Sequence, residues 1–284
     1  MAPLLIAASL VFTPADAAFA YSNAVEIVRD CSPRDAGTIR GGIAAYRILD
    51  LASAAGANVR LDRFSDTTPR GKRHFTNLTA DFMANPTGDW VVVVSHYDTK
   101  PGVACPGAND GASTSGLLIG IAGALSSSPF DGGNVMLVWT DGEECMEAYS
   151  EIDGLHGSRR AAARLKESGR KVRAVVCVDM LGDRDLGISI PRNGTDSLAE
   201  AALRAAAARG LKGLVSRSDI VVKDDHQPFL EHGFPAIDLI DFSYGPGNSW
   251  WHTKEDTTDK ISAESLLKAG ELVSGIIAEV FAAR

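Results

Sequence analysis

The chain has 284 residues, with 36 Asp and Glu against 28 Lys and Arg and a net charge of −8. Nucleic acid and anionic membrane surfaces are excluded as main partners, since both require a basic face. With 45% hydrophobic and 23% charged residues the composition is that of a folded globular protein, not of a disordered or collagen-like chain.

The longest apolar run, Pro3 to Phe12, is well short of the roughly 20 residues that cross a bilayer, so no transmembrane segment is expected. The small residues Ala18-Phe19-Ala20 follow it and fit an A-x-A cleavage site, which makes residues 1–20 a signal peptide, although one lacking a basic start. A secreted or periplasmic location follows from that reading. Cys31, Cys105, Cys145 and Cys177 are too few for a disulfide scaffold. A Cys105–Cys145 bridge would suit an exported enzyme, whereas Cys177 lies in an apolar run as a small buried hydrophobe.

No repeat, charge block or linker divides the rest, which gives one domain over residues 31–284. Helical spacing runs from Ala36 to Ala55, and strand alternation over Asn58 to Phe64 and His74 to Phe82. Trp90 to Val94 is apolar on both faces, as in a central strand covered by helices. A helix over Gly111 to Leu125, a strand over Val135 to Trp139, a helix over Ser158 to Lys166 and a strand over Val172 to Val178 come next. Helices at Asp196 to Arg209 and Gln227 to His232, a strand at Pro235 to Ile240 and a helix at Ser262 to Phe281 complete the pattern. Such alternation implies an α/β fold, a sheet between helical layers, with ligands at the carboxyl ends of its strands.

Three of these strands run into chemistry. Val91 to Val94 leads into His96-Tyr97-Asp98, Val135 to Trp139 into Asp141-Gly142-Glu143-Glu144, and Val172 to Val178 into Asp179. Two further loops, Gly107 to Ser113 around Asp110 and Trp250-Trp251-His252-Thr253, belong to the same set. Neighbouring strands would bring these side chains to one edge, where so many carboxylates repel one another unless a cation lies among them. Imidazole and carboxylate without thiolate suit catalytic zinc. Asp98, two residues after His96 in extended chain, is placed to hold the far nitrogen of that ring, and of the Glu143-Glu144 pair one can bind metal while the other moves protons.

The ordered set resembles the zinc metallo-aminopeptidases and their relatives, the glutaminyl-peptide cyclotransferases, over nearly the whole chain from about Ala36. The resemblance implies a single three-layer α/β/α domain with a mixed, mostly parallel sheet. In the aminopeptidase pattern His96, Asp110 and Asp179 hold one zinc and Asp110, Glu144 and His252 a second. In the cyclotransferase pattern only Asp110, Glu144 and His252 hold metal, while Asp179 and Asp224 form an acid network beside Glu143, the proton carrier in both. The stretch Asp224-Asp225-His226-Gln227-Pro228-Phe229, Trp251 before His252, and His96-Tyr97-Asp98-Thr99-Lys100 are closer to the cyclotransferases. Tyr149 stands where animal cyclotransferases carry Trp, and Asp238 where they carry His.

The resemblance therefore implies an enzyme acting on peptide N-termini: cyclisation of N-terminal glutamine with ammonia release, or hydrolysis of the first peptide bond. Trp251 with Tyr149 or Tyr244 would wall the glutamine pocket, and Asp224 or Asp225 would meet a free α-amine in the hydrolytic case. A binding module that kept the fold and lost the chemistry would lack a ligand or the base, and all are present. Charge counting favours hydrolysis at this stage: Asp110, Glu144 and Asp179 leave one zinc a charge short, and two zincs one in excess. His74 reads as exposed, His232 as a helix-end cation and His226 as a brace for the Asp224-Asp225 turn. Asn77-Leu78-Thr79 matches a glycosylation sequon.

Overall fold

Val91 to Val94 carry no polar side chain, and the strand they form is buried along its whole length. In the computed structural model, which describes residues 10–128 and 130–283, that strand is the centre of one eight-stranded sheet. Its strands are β1 (Val59–Thr68), β2 (Gly71–Phe82), β3 (Trp90–His96), β4 (Asn134–Thr140), β5 (Val172–Asp179), β6 (Ile188–Ile190), β7 (Val215–Arg217) and β8 (Ala236–Ile240). They lie in the order β1-β2-β4-β3-β5-β8-β6-β7. The inner four, β4, β3, β5 and β8, are parallel. The β1–β2 hairpin adds to β4 antiparallel, and β6 adds antiparallel to β8. The expected mixed sheet is therefore present, with its parallel part where the chemistry was placed.

Alternation along β3 divides the core in two. Val91 and Val93 join the larger cluster with α1 (Pro14–Cys31), α2 (Ile39–Ala54), α3 (Thr114–Ser127), α5 (Asp196–Ala208) and α7 (Ala263–Ala282). Val92 and Val94 face the smaller one, with Ala162 and Leu165 of α4 (His156–Glu167) and Phe229 of α6 (His226–Glu231). Cys177 is buried there, as its apolar neighbours implied.

The amino-terminal segment is helical and packed from Pro14 onward. Thr13 caps α1, Pro14 opens it and Asp16 closes a capping box, so this segment carries its own helix-start signals. Ala18-Phe19-Ala20 lies within the helix. Ala17 and Ala20 are buried, and α3 approaches so closely that a Cβ at Gly116 would stand 2.5 Å from the Ala20 carbonyl oxygen. Leu10 and Phe12 are buried as well, so packed residues extend ahead of Cys31. The first nine residues of the expected leader lie outside the described residues. Among the described residues no helix is long and apolar enough to cross a membrane.

Candidate active site

The carboxyl ends of β3 and β5 place His96 and Asp179 side by side, as expected of neighbouring parallel strands. His96 Nε2 is 3.0 Å from Asp179 Oδ1 and 3.1 Å from Asp110 Oδ1. Asp110 comes from an irregular turn over Ala108–Ser113 ahead of α3, with a cis peptide to Gly111. Its other oxygen faces the opposite way: His252 Nε2 is 3.2 Å from Asp110 Oδ2 and 2.6 Å from Glu144 Oε1. Two triads thus share Asp110, and in each the donor atoms lie within 4.8 Å of one another.

Each backbone segment behind these ligands is held by a buried partner. Asp256, distant in sequence, accepts from the amides of Asn109 and Asp110 at 2.7 and 3.2 Å. Arg34, fully buried, donates to the carbonyls of Tyr97, Pro106 and Gly107, tying the end of β3 to the Asp110 turn. The Asp98 carboxylate accepts from the amides of Gly142, Glu143 and Glu144 at 2.9, 3.1 and 3.2 Å. Its nearest approach to His96 Nδ1 is 3.7 Å, longer than a hydrogen bond, so its hydrogen bonds go to the acidic loop.

Glu143 accepts a hydrogen bond from the Tyr149 hydroxyl at 2.7 Å. Burial, then the charges of Glu144 and Asp224, push its carboxyl well above the ordinary range. Asp224 and Asp238 are raised in the same way, by burial first and then by neighbouring acids. Burial opposes charge on His96, but Asp179 and its hydrogen-bonding neighbours raise the ring well above its usual value. His252 is likewise opposed by burial, yet lifted to about 9 by Asp110 and Glu144. Such a field is the one a cation site produces, and the donor set, imidazole and carboxylate without thiolate, fits zinc.

A cleft of about 250 Å³ opens on this group, with Trp251 and Tyr149 among its walls. Trp251 stacks on His252 with ring centroids 3.9 Å apart and meets Phe242 edge-on. A separate hollow of about 300 Å³ between β1–β2 and α4 has Arg60 and Arg170 in its lining, both paired with Asp81, and no ligand triad.

Several expected roles do not survive the coordinates. Tyr244 is fully buried, its hydroxyl on Asp256 at 2.6 Å, and braces the Asp110 turn instead of lining the cleft. Asp225 is buried against the Thr140 hydroxyl, behind the cleft wall that Asp224 joins. Asp224 reaches the cleft. All four cysteines are free, Cys145 Sγ lying 3.1 Å from Lys100 Nζ and Cys105 facing Asp256. Asn77 is buried and bonded to Gly157 and Asp141, so the sequon is closed to a glycan. His226 turns its Nε2 to Asn193 and His232 its Nδ1 to the Pro228 carbonyl, while His74 is exposed as expected. Arg34, Asp256 and Lys100 escaped the sequence reading; only Lys100 had a local signal, in the His96-to-Lys100 motif.

A glutaminyl-peptide cyclotransferase from Drosophila melanogaster is 30% identical over 260 residues, covering 81% of this chain and 72% of the fly protein. The crystal structure of a glutaminyl cyclase from an Acidobacteriales bacterium superposes with a TM-score of 0.88 at 33% identity, covering 99% of this chain and 98% of that one. A leucine aminopeptidase precursor from Bacteroides thetaiotaomicron superposes at 0.84 with 21% identity, covering 96% and 99%, and shares the fold. Residues 77–277, well over half of the sequence, match peptidase family M28. The chain belongs to peptidase family M28.

Proposed function

We propose that this enzyme is a zinc-dependent glutaminyl-peptide cyclotransferase, converting N-terminal glutamine to pyroglutamate with release of ammonia. The observation that carries the reading is Lys100. Its ammonium lies 3.4 Å from Glu144 Oε2, itself almost fully buried, and Glu144 holds its charge up in turn. Counted with neutral imidazoles, Asp110, Glu144 and Asp179 are balanced by this ammonium and a single zinc, whereas a second zinc leaves two positive charges in excess. The sequence-based count omitted Lys100 and so favoured two ions. The cyclotransferase relatives support the same side.

Asp110, Glu144 and His252 would hold the ion, which supplies a Lewis acid for the side-chain amide carbonyl of glutamine. Glu143 accepts a proton from the α-amine as its nitrogen bonds to the amide carbon, and returns it to the nitrogen that leaves as ammonia. A carboxyl raised by burial is suited to that exchange, and the Tyr149 hydroxyl fixes one of its oxygens. Asp179 and Asp224, whose carboxyls burial raises, stand in the same cleft. Trp251, stacked on His252 in the cleft wall, would restrict the water that hydrolysis needs.

The second triad, His96, Asp110 and Asp179, favours an alternative, a dizinc aminopeptidase in which Glu143 deprotonates water. One experiment separates them: ammonia release from a glutaminyl peptide, leucine release from leucyl amide, and zinc per chain. Ammonia with one zinc supports cyclisation; free leucine with two zincs overturns it. A secreted or periplasmic location, read from residues 1–20, belongs to the proposal.

A further inference from the structure

Ile220 and Val221 are 63% and 54% exposed, and Trp251 is 37% exposed, yet all three stand at the mouth of the same cleft. Single exposed apolar side chains are ordinary, but several gathered on a concave rim mark a binding surface. The loop that carries them is pinned. The Ile220 carbonyl accepts from the Arg192 amide at 2.9 Å, and Asn193 grips Val222 from both sides, accepting from its amide at 3.1 Å and donating to its carbonyl at 2.8 Å. Ile220 and Val221 are therefore held in water at the entrance by backbone bonds, not left there by a loose segment.

The polar end of the cleft is occupied by the acids and imidazoles, so an N-terminal residue seated among them sends the rest of its peptide out past this rim. We infer that Ile220 and Val221 select the second residue of the substrate, and that the preferred peptides carry a bulky apolar side chain there. This rests on the reading of the site as one for peptide N-termini. Covering the rim removes apolar surface of both partners from water, which favours leucine or phenylalanine over glycine at that position by roughly tenfold.

Binding is measured by calorimetry in the Glu143→Gln background, where turnover is blocked, using Gln-Leu-amide and Gln-Gly-amide. The leucyl peptide is expected to bind roughly tenfold more tightly, and the Ile220→Ser/Val221→Ser variant, checked for an unchanged melting temperature, to bring the two dissociation constants together. Equal affinities in the parent, a ratio untouched by the double substitution, or no binding of either peptide would overturn the inference. Ammonia release by the unsubstituted enzyme is scored separately, so a failed cyclase reading and a failed rim are told apart. If leucine release proves to be the reaction, Leu-Leu-amide and Leu-Gly-amide are compared in the same background, with the same ratio expected.

Discussion

Asp98→Asn keeps the shape of a fully buried side chain and changes only what its oxygens can do. Oδ1 accepts from Gly142 and Glu143, Oδ2 from Glu144. The amide retains one acceptor and must turn an NH2 toward an N–H at the other place. A charge-assisted hydrogen bond is worth about 1.5–3 kcal/mol and an unsatisfied buried donor costs ~1–3 kcal/mol, so about 2–5 kcal/mol of stability is lost. For a chain of this size that is a fall of roughly 5–10 °C in melting temperature, at about 2 °C per kcal/mol. Because the loosened amides carry Glu143 and Glu144, kcat is expected to drop by about tenfold to a hundredfold, the effect of a small misplacement of a reacting group. Calorimetric melting and steady-state turnover measure both. A variant that melts within about 2 °C of the parent at full activity would show that Asp98 does not hold this loop.

Glu143→Gln should lower turnover by roughly 10²–10⁴, the range for losing a general acid–base, without loss of thermal stability, since the buried carboxyl is already disfavoured in its charged form. Retained activity would remove it from the proposed role. Burial lowers the His226 pKa to about 4. The unfolded chain takes up this proton near pH 6.5 and the folded one does not, so stability is intact above that pH and declines toward pH 4, by roughly 3 kcal/mol. Urea midpoints at neutral and acid pH should show a slope that His226→Gln flattens, and an identical slope in both proteins would refute this. Deleting residues 1–20 strips Leu10, Phe12, Ala17 and Ala20 from the core; two large side chains alone account for ~3–6 kcal/mol. The shortened chain is expected to melt at least roughly 10 °C lower or to be recovered insoluble, and a parent-like melt would restore the leader reading.

Those tests follow the division between what the sequence made legible and what it hid. Strands such as Val91–Val94 announce themselves because burial on both faces leaves no room for polar residues, and each empties directly into its ligand, so His96 and Asp179 could be placed from the chain alone. The three-residue strands β6 and β7 carry too little pattern to register against loops. The braces were hidden for a different reason. Arg34 and Asp256 act on backbone atoms far along the chain, and a side chain that binds carbonyls or amides imposes no spacing on its neighbours. Extended geometry brings Asp98 within 3.7 Å of His96, while the returning loop, which no local pattern announces, offers it three N–H donors at shorter range. Helix α1 had legible start signals in Thr13, Pro14 and Asp16, but an apolar run beside small residues fits a leader and a buried helix equally.

Lys100 connects the electrostatics to the chemistry most directly. Its ammonium is partly buried, at 19% exposure, and faces Glu144 and Cys145, so little solvent screens it from the shared Asp110 site. Replacing it by Met removes the charge and keeps the aliphatic stem. With neutral imidazoles the three carboxylates then outweigh one zinc by a single negative charge, the condition under which a second ion is favoured. Removing a nearby unit charge from the surroundings of a dication changes its binding by roughly a few kcal/mol at an effective dielectric of ~20, so affinity for a second zinc should rise by at least roughly tenfold. Metal analysis after equilibration with graded free zinc reads this as a stoichiometry moving from one toward two in Lys100→Met. If the variant keeps a single ion across the series, or the unsubstituted enzyme already binds two with equal affinity, the ammonium does not set the metal count and the case for cyclisation loses its main physical support.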